Sequence, residues 1–356
     1  MNRLYLRIAP PLDPAWTAYQ IPPGRILSPS LSIHDKQARY ALVCRLLTDA
    51  HTMPGSRDYE LQWNVKRMSL TVPSRIDEFP IPVLKYTWTL TAREVSKACS
   101  AADEQRDDIP MTTTTTPPPV RILYIHGGGL HIGEADSEEL SILRINSALP
   151  VGSEIFSVTY RLMPDVPAQT CLDDCLSNST QTQANATRRP KLVLVGSSSG
   201  GELAALISQA AEPGTIDGVL LRGPVTSDAP SGEEYVPERL RWLHTSAREP
   251  SFRTNLLGLI RREVPRDGLE RMPLEAELET LSKLPPTWIQ VCTNDTLYSD
   301  GVCYAKALDD AGVPVRVDVI KGWPHTFWLV APELDKSLEA EEAMLKGLEW
   351  ILETAK

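Results

Sequence analysis

The chemistry-bearing residues come first. A short apolar run, Leu192 to Val195, leads into the turn Gly196-Ser197-Ser198-Ser199-Gly200, and a helical pattern follows from Glu202 to Ala211. A serine in a sharp strand-to-helix turn is pushed out beyond the end of a sheet, where its hydroxyl can attack a carbonyl. Glycines must flank it, because side chains there would collide with neighbouring backbone. The helix N-terminus behind it places positive partial charge near a developing oxyanion. Ser197 and Ser199 are rivals, but the spacing from both glycines selects Ser198. The same five residues also serve a plain strand-to-helix connection, so the reading needs partners for the serine.

One partner is Tyr124-Ile125-His126-Gly127-Gly128-Gly129, directly after an apolar run. A glycine run lets backbone N–H groups converge on one point without side-chain obstruction, as an oxyanion hole requires. Gly127 and Gly128 are the expected donors, with the N–H of Ser199 as a third. His126 is read as shaping the loop, not as a general base. His131, in the same loop, is either a substrate contact or an exposed loop histidine.

The remaining partners lie near the C-terminus. Trp288 to Val291 leads to Asp295, and Val315 to Ile320 leads to His325. Each is a titratable residue just beyond a strand's C-terminal end, where open α/β sheets build their sites. The order Ser198, Asp295, His325 suits nucleophile, acid and base. His325 would take the serine proton, and Asp295 would fix its tautomer and stabilise the imidazolium. Asp300 is assigned to capping the next helix. His34, His51 and His244 follow no strand of this series, and His244 is expected to be solvated. Trp323 and Trp328 beside the histidine, with Leu240, Trp242 and Leu243, either line an apolar substrate pocket or pack in the core. Trp323 is carried as a candidate substrate contact.

These residues need a frame. Strands are expected at 64–72, 82–90, 120–125, 155–160, 192–195, 218–221, 286–291 and 315–320. Helices are expected at 35–50, 134–148, 202–211, 301–311 and 334–353. In the first of these, Ala38, Leu42, Val43, Leu46 and Leu47 mark one face. Strands alternating with helices imply a mostly parallel central sheet flanked by helices on both faces. Residues 1–60 form an N-terminal segment contributing to a cap. The core comprises 61–225 and 283–356, and 226–282 breaks the alternation as a helical cap insertion. Residues 96–119, with Thr112 to Thr116 and three prolines, read as a flexible insertion.

Composition narrows the classes. The chain has 356 residues, 42% hydrophobic, and a net charge of -10. A large core is affordable, and the acidic balance argues against nucleic-acid binding. No run approaches the ~18 apolar residues of a membrane span. The N-terminal residues lack the apolar stretch of a secretory signal. A cytoplasmic location is therefore expected, and the glycosylation patterns at Asn178, Asn185 and Asn294 carry little weight. The six cysteines are scattered, and Cys171 and Cys175 have no second pair, so no metal and no cofactor are expected. A small-molecule partner is expected, and a homodimer is left open.

The chain resembles the hormone-sensitive-lipase-like group of α/β-hydrolase carboxylesterases. The matching marks are His126-Gly-Gly-Gly129, Tyr160-Arg-Leu-Met-Pro-Asp165, Gly196-Ser-Ser-Ser-Gly-Gly201, Asp295 with Asp300-Gly301, and His325-Thr-Phe327. Residues 286–330 also look like fungal members from secondary metabolism. There are departures. The family usually has Asp or Glu before the nucleophile and Ala after it, where Ser197 and Ser199 stand here. It has Glu at the position of Asp165 and Gly at that of Thr326. The resemblance implies an α/β-hydrolase fold and cleavage of a carboxylic ester or thioester through an acyl-enzyme. Tyr160 to Asp165 and Asp173 with Asp174 are read as buttresses of the site. Two alternatives remain: a lyase or cyclase using the same residues without net hydrolysis, and a non-enzymatic ligand-binding receptor. The second is disfavoured because His325 is present.

Overall fold

The computed structural model describes residues 2–25, 27–28, 30–89, 119–183, 189–253 and 262–355. The apolar runs pair as β1 (Val65–Pro73), β2 (Pro80–Trp88), β3 (Val120–Ile125), β4 (Glu154–Val158), β5 (Lys191–Ser197), β6 (Gly218–Arg222), β7 (Thr287–Asn294) and β8 (Val315–Pro324). They form one sheet in the order β1-β2-β4-β3-β5-β6-β7-β8. β2 is antiparallel to β1 and β4, and the pairs from β4 through β8 are parallel. Every residue of β6 and β7 is buried. A parallel strand covered on both faces needs such a continuous apolar run.

Alternation along each strand feeds two cores. Ile122, Tyr124, Val193, Val195, Leu220 and Trp288 face α2 (Glu139–Ala148) and α6 (Asp335–Thr354). Leu123, Ile125, Leu192, Leu194, Leu221 and Ile289 face α3 (Ala168–Gln183), α4 (Ser199–Ala210) and α5 (Tyr298–Asp310). This sandwich fixes the C-terminal ends of β3, β5, β7 and β8, from which the candidate site residues emerge.

Several element boundaries move for physical reasons. α4 starts at Ser199, immediately after the serine, and not at 202. α2 starts at Glu139, because Glu134 N–H donates to Ser137 Oγ and Ala135 N–H to Thr159 Oγ1, holding 134–138 as a turn. The N-terminal helix α1 spans Ile33–Thr52 and buries Ala41, Val43, Cys44, Thr48 and Thr52. Leu42 and Leu46, expected on the inner face, are exposed. The surface α1 meets is a polar loop, so it docks by Gln37 Nε2 donating to the His131 carbonyl (2.9 Å) and Arg45 Nε to Asp136 (2.9 Å). Between β6 and β7, where a helical cap insertion was expected at 226–282, the described residues form 3₁₀ turns and one short helix, Leu278–Leu281. The insertion read at 96–119 lies outside the described residues except for Pro119.

Candidate active site

β5 and α4 meet at Ser198, whose backbone is forced to φ 52°, ψ −122°. A non-glycine residue in that region stores strain of about 1–3 kcal/mol. The strain is held by neighbours: Ser198 N–H donates to the Arg222 carbonyl (2.9 Å), and Val225 N–H donates back to the Ser198 carbonyl (3.2 Å). The glycines are required sterically. A Cβ on Gly196 would collide with the Gly200 carbonyl, and one on Gly200 with the Ile125 carbonyl.

β7 ends at Asn294, which puts Asp295 in the next turn, and β8 delivers His325 after Pro324. His325 Nδ1 lies 2.6 Å from Asp295 Oδ2, and His325 Nε2 lies 3.0 Å from Ser198 Oγ. Asp295 Oδ1 accepts from Leu297 N–H at 2.9 Å, so the carboxylate is fixed at both oxygens. With Asp295 accepting, Nδ1 carries the ring proton and Nε2 presents its lone pair to the serine hydroxyl. All three residues are buried, Ser198 being the most exposed at 8%.

The oxyanion loop corrects one expectation. Gly127 N–H donates to Glu138 Oε1 (2.9 Å), so it is already engaged and is not a free donor. Gly128 and Gly129 have no acceptor for their N–H groups among the described residues. Ser199 opens α4, where an N–H has no partner within the helix. The donor set that fits is therefore Gly128, Gly129 and Ser199. His126 is buried, stacks on Tyr160 (4.3 Å between centroids), and its Nδ1 contacts the Gly127 carbonyl. Burial pulls its pKa down to about 4, so it stays neutral and acts as a spacer within the loop.

Other residues take different places from those expected. Asp300 lies inside α5 and does not cap it. Its carboxylate accepts from the N–H groups of Thr226 and Ser227 (both 2.8 Å) and contacts His244 Nε2 (2.9 Å). His244, expected to be solvated, has a side chain only 3% exposed. Together they fasten the segment after β6 to the core. Trp323, carried as a substrate contact, is buried against Trp16 and Phe327, so it supports the histidine loop from behind. Leu240, Leu243 and Trp328 are likewise buried, whereas Trp242 is exposed beside Tyr5. His131 is half-buried, with Nδ1 on the Gly129 carbonyl (2.7 Å). Asp174 accepts from Arg161 N–H (3.1 Å) and Nε (3.0 Å), and Asp173 from Arg75 Nε (3.0 Å), bracing the strand ends. Cys171 and Cys175 are free, buried thiols on α3.

Two features gave no signal in the sequence. The extreme N-terminus is one. Asn294 Nδ2 donates to the Pro10 carbonyl, Asp13 N–H to the Gly322 carbonyl, and Tyr298 Oη to the Leu4 carbonyl. It thus straps the loops that carry Asp295 and His325. The other is an acidic cluster one helical turn after the serine. Arg262 reaches Asp267 (2.8 Å), Asp228 (3.1 Å) and Glu202 (3.4 Å). Glu202 is buried, and its Oε1 lacks a hydrogen-bond partner.

Burial, with nearby Asp267, Asp300 and Asp228 and against Arg262, pushes Glu202 up to about 7 from 4.5. Between those values the folded chain holds a proton that the unfolded chain has released. Stability must therefore fall as pH rises through that window. Glu202→Gln should remove this loss. In urea melts at pH 5 and pH 8, the variant should gain a few kcal/mol relative to the parent at the higher pH. Parallel profiles for the two proteins would contradict the assignment.

Comparison with known proteins gives the family. Residues 122–329 match the family model described as alpha/beta hydrolase fold. The chain is 31% identical over 244 residues to versiconal hemiacetal acetate esterase of Dothistroma septosporum, covering 65% of this chain and 73% of that one. It is 27% identical over 245 residues to ethyl acetate hydrolase of Pseudomonas putida, covering 64% and 71%. Among solved structures, vibralactone cyclase superposes with a TM-score of 0.72 at 20% identity, covering 98% of this chain and 96% of that one. The extended match across β3 to the histidine loop settles the family: the chain belongs to the α/β-hydrolase fold family, as a carboxylesterase-like hydrolase.

Proposed function

We propose that the chain hydrolyses a small carboxylic ester, of the acetate type, through an acyl-enzyme on Ser198. The observation that carries this is the unbroken chain Ser198 Oγ, His325 Nε2, His325 Nδ1, Asp295 Oδ2, with contacts of 3.0 and 2.6 Å. As Ser198 Oγ bonds to the ester carbon, its proton passes to His325, and the carbonyl oxygen becomes an oxyanion facing Gly128, Gly129 and Ser199. Collapse breaks the ester C–O bond, and His325 returns the proton to the leaving alcohol. Water then repeats the sequence on the acyl-enzyme, releasing the acid and restoring the serine. The acetate preference is supported by two relatives whose names specify an acetate ester. A thioester runs through the same steps.

Wild type should cleave p-nitrophenyl acetate and butyrate, and Ser198→Ala should lose on the order of 10⁴-fold or more in kcat. Undiminished turnover by Ser198→Ala would overturn the proposal. A second reading, cyclisation or elimination without net addition of water, is favoured by the deep burial of the reacting groups. Reaction in H₂¹⁸O separates the two, because hydrolysis places label in the released acid.

A further inference from the structure

Glu138 follows the oxyanion loop and is one of three buried carboxylates there, with Asp136 and Glu139. It is 2% exposed and sits at the N-cap of α2 without capping it. Its side chain is spent elsewhere. Oε1 accepts from Gly127 N–H at 2.9 Å and, in a short hydrogen bond, from Ser197 Oγ. Oε2 accepts from Tyr124 Oη at 2.6 Å. Tyr124 and Ser197 are themselves 0% and 1% exposed. One carboxylate therefore ties together three places: the end of β3, the first glycine of the oxyanion loop, and the residue immediately before the nucleophile.

We infer that Glu138 is a positioning residue for acyl transfer, the clamp that sets the oxyanion donors in register with Ser198. The inference rests on the reading of Ser198 as nucleophile. By holding Gly127 N–H, the carboxylate fixes the orientation of the peptide that leads into Gly128 and Gly129. By holding Ser197 Oγ through the same oxygen, it refers that orientation to the turn bearing Ser198. The two segments are close enough for this to matter. A Cβ on Gly127 would lie 2.9 Å from the Ser197 carbonyl oxygen and 3.1 Å from Ser198 Cβ. The α2 N-terminus favours a negative group at this point. Losing the clamp lets the donors drift from the oxyanion, which exists only after the nucleophile attacks. Such a loss lowers kcat and leaves KM nearly unchanged.

The geometry also says how to restore it. Ser197 Oγ lies 3.2 Å from the position of a Gly127 Cβ. An aspartate at 197 would place a carboxylate oxygen within reach of Gly127 N–H from the elbow side. Glu138→Ala should lower kcat about 10²-fold, the scale of one lost oxyanion donor, with KM within about twofold of the parent. A trifluoromethyl ketone, which mimics the tetrahedral adduct, should bind more weakly by the same factor. Glu138→Gln keeps an oxygen for Gly127 and Ser197 and an N–H₂ for the Tyr124 oxygen, so it should stay within roughly fivefold of the parent. Adding Ser197→Asp to Glu138→Ala should recover at least tenfold in kcat. In the parent background the same change should impair activity, since two carboxylates would then share one buried space.

The proposal is overturned if Glu138→Ala keeps its kcat, or if the loss falls on KM. It is also overturned if Ser197→Asp gives no recovery while the melting temperatures of the variants stay within a few degrees of the parent. If Glu138→Ala fails to fold, the decisive pair is Glu138→Gln against Glu138→Gln/Ser197→Asp, and a faster second variant is not expected, because the first retains the bridge. Fluorophosphonate labelling of wild type gives the independent reading of Ser198. An unlabelled wild type removes the nucleophile itself, whereas a labelled wild type with an unimpaired Glu138→Ala removes only the clamp.

Discussion

Asp295→Asn should lower kcat about 10⁴-fold, the effect of holding the base in the wrong tautomer. The geometry leaves the asparagine little choice. Leu297 N–H needs an acceptor and takes Oδ1 at 2.9 Å, so the amide oxygen must stay on that side. The amide N–H₂ then faces His325 Nδ1, where Asp295 Oδ2 now lies at 2.6 Å. A donor there makes Nδ1 the acceptor and moves the ring proton to Nε2. The nitrogen 3.0 Å from Ser198 Oγ can then no longer take the serine proton. The packing is unchanged, because the two side chains have the same shape and Asp295 is fully buried. Steady-state kinetics on p-nitrophenyl butyrate, with a thermal melt alongside, would check this. A loss under about tenfold, with the fold intact, would contradict a role for Asp295 in setting the tautomer.

The largest stability effect is expected at Arg222, on the strand beside the nucleophile. It is 0% exposed. Its Nε donates to Gln290 Oε1 (2.9 Å), its Nη1 to Glu341 Oε1 (2.9 Å), and its guanidinium stands 4.0 Å from the Trp328 ring centre. Arg222→Ala leaves Glu341 buried with Arg144 3.9 Å away and a hydroxyl from Ser141. Removing one partner of a buried pair costs about 3–5 kcal/mol. Replacing both charges with apolar groups, as Arg222→Met/Glu341→Leu, should cost far less, because no charge is then stranded. Urea denaturation of the two variants would test this. A double variant as unstable as the single one would show that the packing around Trp328 dominates, not the stranded charge.

Much of the candidate site was legible in the sequence because each residue of the candidate triad follows directly on an apolar strand. Ser198, Asp295 and His325 stand at strand ends, and a short apolar run bounded by turn residues is legible without tertiary knowledge. Glu138 was not legible. It lies in Glu134-Ala-Asp-Ser-Glu-Glu139, and nothing in that run says which carboxylate meets the oxyanion loop. That choice is made by Tyr124 and Ser197, which are remote in sequence. Arg222 drew no reading from the sequence, because its partner Glu341 is on the last helix, remote along the chain. The inner face of α1 was misplaced for a related reason. Leu42 and Leu46 point outward, and the helix meets the polar oxyanion loop through Gln37. Gly127 was misassigned as a donor because a glycine run does not reveal which of its N–H groups is already engaged.

The proposed acyl transfer requires a covalent intermediate at Ser198, and this can be measured directly. Wild type and Ser198→Ala would be quenched in acid within the first turnovers of p-nitrophenyl butyrate, then digested and mapped by mass spectrometry. The expected result is a butyryl adduct on the peptide bearing Ser198 in wild type, no adduct in Ser198→Ala, and a matching burst of p-nitrophenol. Steady turnover with no adduct and no burst, or an adduct on another residue, would contradict it.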